Sequence, residues 1–571
     1  MVRLSFGAYN PKEKLLTFYS TFNKELEDEF TPFLIESKCE TIDLNKMFNK
    51  PLPILPPTIK KIKAGRGFNQ LIDHLPDSVE SIELGYCFNQ PISKYPANLK
   101  KIMFYGQFNQ QLVNLPSSIE EIILSYQFNH PLDNLPYGLK KLDLGRKFNQ
   151  EVEHLPDSLT EIVFSDFFDN NIDFLPHSIK KIELGIKFNK ELENLPSSLE
   201  TLIVPGANIK TLNNLPDHIK EINIQKRGTI IHNSYKPILK LPDNLVKLTL
   251  NGCYRYPIEY FPPTLKSLIF PELSYFNLPL DNLPDSLEEL ILGQNYNQNL
   301  KNIPKSVKIL SIGLGYRFPL SELPDTIEVL RVGIIFKSDR IPSGVKKLNI
   351  SLPSDFVRIE GEFNDRVRIN TEFTLSYLEN LKYLKIENFF FYSLDNLPVS
   401  LENLEITSNS RFPIKNFPPN LKNLILNNSG KHDLTKLPDS LETLEIQISN
   451  PEELTFLPPN LRLLSIKELR TYTFISRKEK YNYNFSIIPS SLKEIKLLCS
   501  FDFNIDSLPS TIEIIKIGSS FTQKISKLPK NLITLEMNYY YKYKQHLFIT
   551  LFKYRNKFKK TIDLIFEKEL F

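Results

Sequence analysis

The chain has 571 residues, with Lys+Arg 70 against Asp+Glu 66. That length admits several ordinary domains or one long repeat array, and a net charge of +4 argues against nucleic-acid binding through bulk charge. Cys39, Cys87, Cys253 and Cys499 stand far apart without a Cys-x-x-Cys pair, which argues against a zinc ribbon or disulfide framework and fits a reducing compartment.

In chain order, residues 1–38 come first. They lack the apolar core of a signal peptide. Lys12–Phe30 reads as an amphipathic helix with Leu15, Leu16, Phe18, Phe22 and Leu26 on its apolar face, so an N-terminal helical cap is expected. The first strand is expected at Thr41–Leu44, opening an array over 39–537.

Within that array a fixed beat runs. Phe-Asn recurs at Phe48, Phe68, Phe88, Phe108, Phe128 and Phe148, then Phe168 with Asp169 and Phe188 with Asn189. An apolar-Pro dipeptide keeps the same step from Leu55 to Leu215 and continues with slips to Leu528. Each unit ends in a short alternating segment such as Leu139-Lys-Lys-Leu142-Asp-Leu144, a half-buried strand. The Pro is expected to pre-set a turn, and the Ser two residues on to bond the local backbone. So short a unit leaves room for one strand and an extended or 3₁₀ return, but not for a full helix.

Stacked units of this kind form a β-rich solenoid, a leucine-rich-repeat-like parallel β array of about 24 rungs. Irregular units are expected near 225–237, 351–380 and 467–484. The stretch from Ile341 to Leu397 is close to three periods long and is expected to hide two degenerate rungs, with strands at Val367/Ile369 and Leu384/Ile386.

Two columns follow from stacking. The residue after each strand's first apolar position reads Lys60, Glu80, Lys100, Glu120, Lys140, Thr160, Lys180, Glu200, Lys220, and the alternation resumes beyond with Asp365 as one rung. A structural charge ladder is expected, each charge pairing with both neighbours and fixing register. The Phe side chains are expected to stack internally, the adjoining Asn to satisfy backbone groups, and units lacking Phe, at Asn208 and Gly430, to be looser.

No catalytic signal accompanies the repeat. The eight histidines show no metal-ligand spacing, and no phosphate-cradling or nucleophile-elbow glycine motif occurs. Two features could bind. Met103, Ile123, Val163 and Ile203, with Tyr105 nearby, lie on the outward positions of the strands and form a candidate partner-binding face. Residues 538–571 read as a basic amphipathic helix capping the C-terminal end, with Leu547, Leu551, Tyr554, Phe558, Ile562, Ile565 and Leu570 at helical spacing.

Phe-Asn-x-Pro-Leu, Leu-Pro-x-Ser-Leu and Leu-x-Leu-Gly recurring in order over roughly 40–537 resemble the FNIP-repeat family, which is akin to leucine-rich repeats and known from social amoebae and giant viruses of amoebae. The resemblance implies a non-enzymatic scaffold for protein–protein interaction through the strand face. A second implied role, substrate adaptor of a host ubiquitin ligase, belongs to relatives with an F-box, and residues 1–40 lack the Leu-Pro opening of one. An intracellular, cytoplasmic monomer is expected, with an unknown protein partner, no cofactor, no nucleic acid and no membrane span.

Overall fold

The structure, a computed structural model, describes residues 2–26, 29–192, 194–205, 212, 215–225, 237–333, 340–351, 374–387, 394–407, 414–427, 432–448, 454, 456–468, 488–498, 505–518, 521, 523–538, 541–558 and 562–567. It divides into two compact units, 1–293 and 294–571. Unit 1 holds β1 (Val2–Arg3), β2 (Gly7–Asn10), β3 (Leu15–Phe18), α1 (Phe30–Glu36), β4 (Thr41–Asp43), β5 (Lys61–Lys63), β6 (Ser81–Leu84), β7 (Lys101–Phe104), β8 (Glu121–Ile123), β9 (Lys141–Asp143), β10 (Glu161–Val163), β11 (Lys181–Glu183), β12 (Thr201–Pro205), β13 (Glu221–Gln225), β14 (Lys247–Thr249), β15 (Ser267–Ile269) and β16 (Glu289–Ile291).

From β3 to β16 each strand pairs in parallel with the next, and along 61–201 equivalent residues of successive rungs face one another, as in Ile102 against Ile122. The alternating residues Ile62, Ile82, Ile102, Ile122, Leu142 and Ile162 turn inward and are buried, while the residues between them face out. One rung alone leaves these side chains in water; stacking removes them from it, at ~1.5–3 kcal/mol for each large side chain.

The turn that delivers the chain to each strand differs from its expected form. Pro76 stands at the first position of the turn, its carbonyl accepting from Val79 N–H at 3.1 Å, and Pro56, Pro96 and Pro136 do the same. Nor does the Ser bond locally. Ser78, Ser118, Ser158 and Ser178 donate to the carbonyl of the apolar residue one rung back, Ile59, Leu99, Leu139 and Leu159, at 2.7–2.8 Å. The hydroxyl is an inter-rung tie because this carbonyl precedes the strand and has no strand partner.

The expected N-terminal helix over Lys12–Phe30 is not formed. β2 and β3 make an antiparallel hairpin, and β3 supplies the first parallel rung, one earlier than the expected Thr41–Leu44. Leu16 and Phe18 are buried on the strand's inner face while Leu15 and Thr17 point outward, so the segment's period is 2, not 3.6. The helix is only α1, which buries Phe30 and Leu34.

Unit 2 holds β17 (Ile309–Ile312), β18 (Val329–Val332), β19 (Lys347–Ser351), β20 (Tyr383–Glu387), β21 (Asn403–Thr407), β22 (Asn423–Leu426), β23 (Thr443–Ile448), β24 (Leu463–Glu468), β25 (Glu494–Leu498), β26 (Ile514–Ile517), β27 (Thr534–Asn538), α2 (Lys544–Phe558) and β28 (Asp563–Glu567). These strands are also parallel and sequential. β19 pairs directly with β20, so the strand at Leu384/Ile386 forms but no rung stands before it, and the stretch holds one rung rather than two. Val367, Ile369 and Asp365 lie outside the described residues, as do Asn208, Gly430 and most of the three irregular segments. The strands on either side of these segments pair directly, β13 with β14, β19 with β20 and β24 with β25.

The tail corrects the expectation of one capping helix over 538–571. α2 ends at Phe558, and β28 adds a final strand beside β27, so Ile562 and Ile565 belong to no helix.

Candidate functional site

Inside unit 1, Phe48, Phe68, Phe88, Phe108, Phe128, Phe148, Phe168 and Phe188 are each at most 1% exposed. They stack nearly parallel with centroids 5.9–6.4 Å apart, and Phe22 extends the stack below Phe48 at 6.0 Å. Beside the stack runs an amide ladder. Asn49 Oδ1 accepts the backbone N–H of Asn69 at 2.9 Å, and Asn69, Asn89, Asn109, Asn129 and Asn149 repeat the bond to the rung above. Asp169 takes the same role toward Asn189 at 3.1 Å. Phe-Asn is therefore framework: the ring fills the core and the amide holds the turn's backbone, so neither is offered to a ligand.

The strand surface carries charges that pair along the array. Lys100 lies 2.8 Å from Glu80, Lys140 2.8 Å from Glu120 and Lys220 2.9 Å from Glu200. Hydrogen bonds from these lysines, then their charge, lower the pKa of Glu80, Glu120 and Glu200. The contacts are one lysine to one glutamate; the expected bridging to both neighbours occurs in unit 2, where Glu402 meets Lys382 at 3.2 Å and Lys422 at 2.9 Å. Lys60 and Lys180 sit in the same column, their carbonyls accepting from Glu80 N–H and Glu200 N–H. In unit 2 the alternation fails at two steps, because Lys382 N–H bonds Lys346 O and Lys493 N–H bonds Arg462 O, and it ends where Ile533 N–H bonds Glu513 O.

A second column, unforeseen from the sequence, pairs Lys101 with Glu121 at 2.8 Å and places Glu161 between Lys141 and Lys181 at 3.3 and 2.8 Å. It occupies the first residue of each strand, one place along from the ladder, and the same rung-by-rung comparison would have found it.

The candidate face lies two residues further along each strand than the second column. In register the central outward position reads Glu83, Met103, Ile123, Asp143, Val163, Glu183, Ile203. All are half-buried. The structure brings Met103 and Ile123 side by side, but Asp143 separates them from Val163 and Glu183 separates Val163 from Ile203. The five predicted residues are thus not one continuous patch.

Around Met103 and Ile123 the patch is enlarged by aromatics. Tyr105 is 43% exposed, and its hydroxyl donates to Met103 Sδ at 3.8 Å. Burial pushes its pKa up, Glu83 adding to the effect. Tyr86 and Tyr126, 45% and 41% exposed, stand in the turn beyond the strands. The Arg66 guanidinium lies over Tyr86 at 5.1 Å and Arg146 over Tyr126 at 4.8 Å, with Arg146 Nε 3.0 Å from Asp166. Gly106 at φ +73 occupies this position between the two tyrosines; a Cβ there would sit 2.5 Å from the Tyr86 ring. Tyr86 and Tyr126 recur at this turn position on alternate rungs, a signal a column reading of the turn would have caught.

Among the described residues no group of three or more His, Cys, Asp or Glu could hold a metal, and no helix is long and apolar enough to cross a membrane. Cys39, Cys87 and Cys253 are free thiols, with burial raising the Cys39 pKa to about 11. A surface hollow of unit 1, about 420 Å³, lies beside Glu151, Glu153 and His154.

The FNIP Repeat family model matches residues 48–87, 88–127, 128–167, 151–187 and 276–315. Among solved structures, the crystal structure of the giant-virus protein CroV588, described as a novel circular LRR protein, is similar with 26% identity over 94% of this chain and 71% of that one, at a TM-score of 0.50. YopM from Yersinia enterocolitica WA-314 is similar at 18% identity, over 84% of this chain and 82% of that one, with a TM-score of 0.32. No curated protein matches.

Proposed function

From the premise that this chain is an FNIP-repeat protein with a leucine-rich-repeat-like solenoid fold, we propose that it is a non-enzymatic scaffold. It binds a protein partner on the outward strand face of unit 1, centred on Met103 and Ile123. One observation carries the reading: these two apolar side chains lie together, rimmed by Tyr86, Tyr105 and Tyr126, on a surface whose neighbouring charges are already paired. Glu83, beside Met103, meets Lys61 at 2.6 Å; Lys101 meets Glu121 at 2.8 Å on the same two strands; and Asp143, beside Ile123, accepts from Gly145 N–H at 2.9 Å. A partner covering it desolvates half-exposed apolar and aromatic groups and leaves no new unpaired charge. Tyrosines held by a fixed backbone lose little side-chain freedom on binding, which suits them as anchors. Val163, between Asp143 and Glu183, and Ile203, between Glu183 and Asn223, extend the face as separate footholds.

The test is capture from lysate by the full chain and by a Met103→Lys, Ile123→Lys double variant, both checked for folding by circular dichroism. Loss of a specific partner with folding intact supports the reading. Equal capture moves the interface elsewhere, and ubiquitin-ligase core subunits among the captured proteins favour the adaptor role.

A further inference from the structure

We propose that the C-terminal helix α2 docks unit 2 onto an anionic lipid bilayer. The orientation of α2 is fixed from one side. Leu547, Thr550 and Tyr554 are buried, Thr550 Oγ1 donates to Ile525 O at 3.1 Å, and Tyr554 OH donates to Lys530 O at 2.6 Å. The face turned away carries Phe548, Ile549 and Phe552, which are 54%, 53% and 66% exposed. Their i, i+1, i+4 spacing makes one stripe. The helix is thus apolar on two faces, one used by the fold and one presented to the outside.

Charge identifies the occupant. From 537 to 562 the chain has no Asp or Glu and seven basic residues: Lys542, Lys544, Lys553, Arg555, Lys557, Lys559 and Lys560. These seven exceed the whole chain's net charge of +4, so the rest of the protein is slightly acidic. Lys542, Lys553 and Arg555 are exposed. Apolar side chains flanked by lysine and arginine suit an interface where rings enter the headgroup–acyl boundary and cations meet lipid phosphates. A second copy of α2 would set basic against basic. The three side chains also expose only roughly 300 Å², at about 200 Å² for a whole phenylalanine, against the roughly 800 Å² per partner of a stable protein interface. An interfacial helix is held by a few inserted side chains plus long-range charge, so this area is enough for reversible attachment. The inference rests on unit 2 alone and stands or falls independently of the strand face.

Sedimentation of the full chain with vesicles tests it. The expected result is binding to mixed phosphatidylserine–phosphatidylcholine vesicles, and little binding to phosphatidylcholine alone. Phe548→Ser with Phe552→Ser should lower affinity at least tenfold with the circular dichroism spectrum unchanged. Lys553→Gln and Arg555→Gln should each lower it roughly fivefold. Three results would overturn the proposal: no binding to anionic vesicles at physiological salt, binding unaltered by the Phe substitutions, or concentration-dependent self-association that the Phe substitutions abolish, which makes α2 a contact between copies.

Discussion

Between Phe48 and Phe188, unit 1 repeats its Phe-Asn pair at a constant step, and its strands β4–β11 are uniformly short, from Lys61–Lys63 to Ser81–Leu84. In unit 2 the pair no longer recurs at that step, and all of β19–β27 except β22 and β26 run longer, up to Thr443–Ile448 and Leu463–Glu468. The inward strand residues are alike in both: Leu142 and Leu144 in one, Leu424 and Leu426 in the other, are buried. The difference lies just after the strand. Where the chain must turn at once to deliver a buried Phe, pairing stops. At Gly85 the backbones come so close that a Cβ would lie 1.9 Å from the Gly65 carbonyl oxygen, a contact only glycine permits. Where Glu387, Thr407 or Gln447 follows instead, the strand continues by a residue or more. Strand leucines therefore specify the sheet, while the Phe-Asn turn fixes how the opposite side of each rung is spaced.

The comparison breaks most directly at the stack. Phe108→Ala should cost unit 1 about 3–5 kcal/mol, as much as Leu424→Ala costs unit 2. Hydrogen exchange of amides around Asn109 and Asn129 reads the first, and unchanged protection there would mean the ring stack does not support the turn.

A smaller effect belongs to unit 2. His432 Nδ1 accepts the Ile414 N–H at 3.1 Å, and burial pushes the His432 pKa down to about 4. The folded value lies below the unfolded value near 6.5, so stability from the neutral ring is complete above ~6.5. It is lost as pH falls toward 4, because the unfolded chain gains a proton that the folded chain refuses, for about 3 kcal/mol in all. Denaturant midpoints of unit 2 between pH 7 and pH 5 should fall, and His432→Asn should flatten the dependence. A wild-type midpoint that stays level over this range contradicts the buried neutral ring.

The smallest effect sharpens the ladder's chemistry. Asn109 needs only an acceptor for the Asn129 N–H at 3.0 Å, and Asp169 already does this for Asn189. Asn109→Asp should be near neutral, whereas Asn109→Leu should cost about 0.5–1.5 kcal/mol. Equal losses in thermal unfolding would show that the amide's donor, rather than its oxygen, matters.

Much of this was readable from spacing. A constant repeat step places Phe over Phe and Lys beside Glu with no knowledge of coordinates, because equivalent residues of a parallel solenoid share a column. Single-copy features escaped. Leu15, Leu16 and Phe18 satisfy both helical and strand periods over so short a stretch, and only pairing with Thr41–Asp43 selects the strand. Alternation of charge admitted Asp365 as a rung, yet β20 seats directly on β19.

The candidate face shows the same division. Met103 and Ile123 were legible as outward positions, but the interruption of the patch by Asp143 and its widening by Tyr86 and Tyr126 depend on which residues stand side by side. The repeat is written in the residues alone: the period, the inward faces, the buried Phe column and the parallel stacking each follow from hydrophobic burial recurring along one dimension. Everything that occurs once is settled by packing. That includes the hairpin start, the direct pairing of β19 with β20, the end of α2 at Phe558 with the strand β28 beyond it, and the exposed stripe of α2. A residue without repeated counterparts gives no periodic signal, and its place is set by what happens to pack against it.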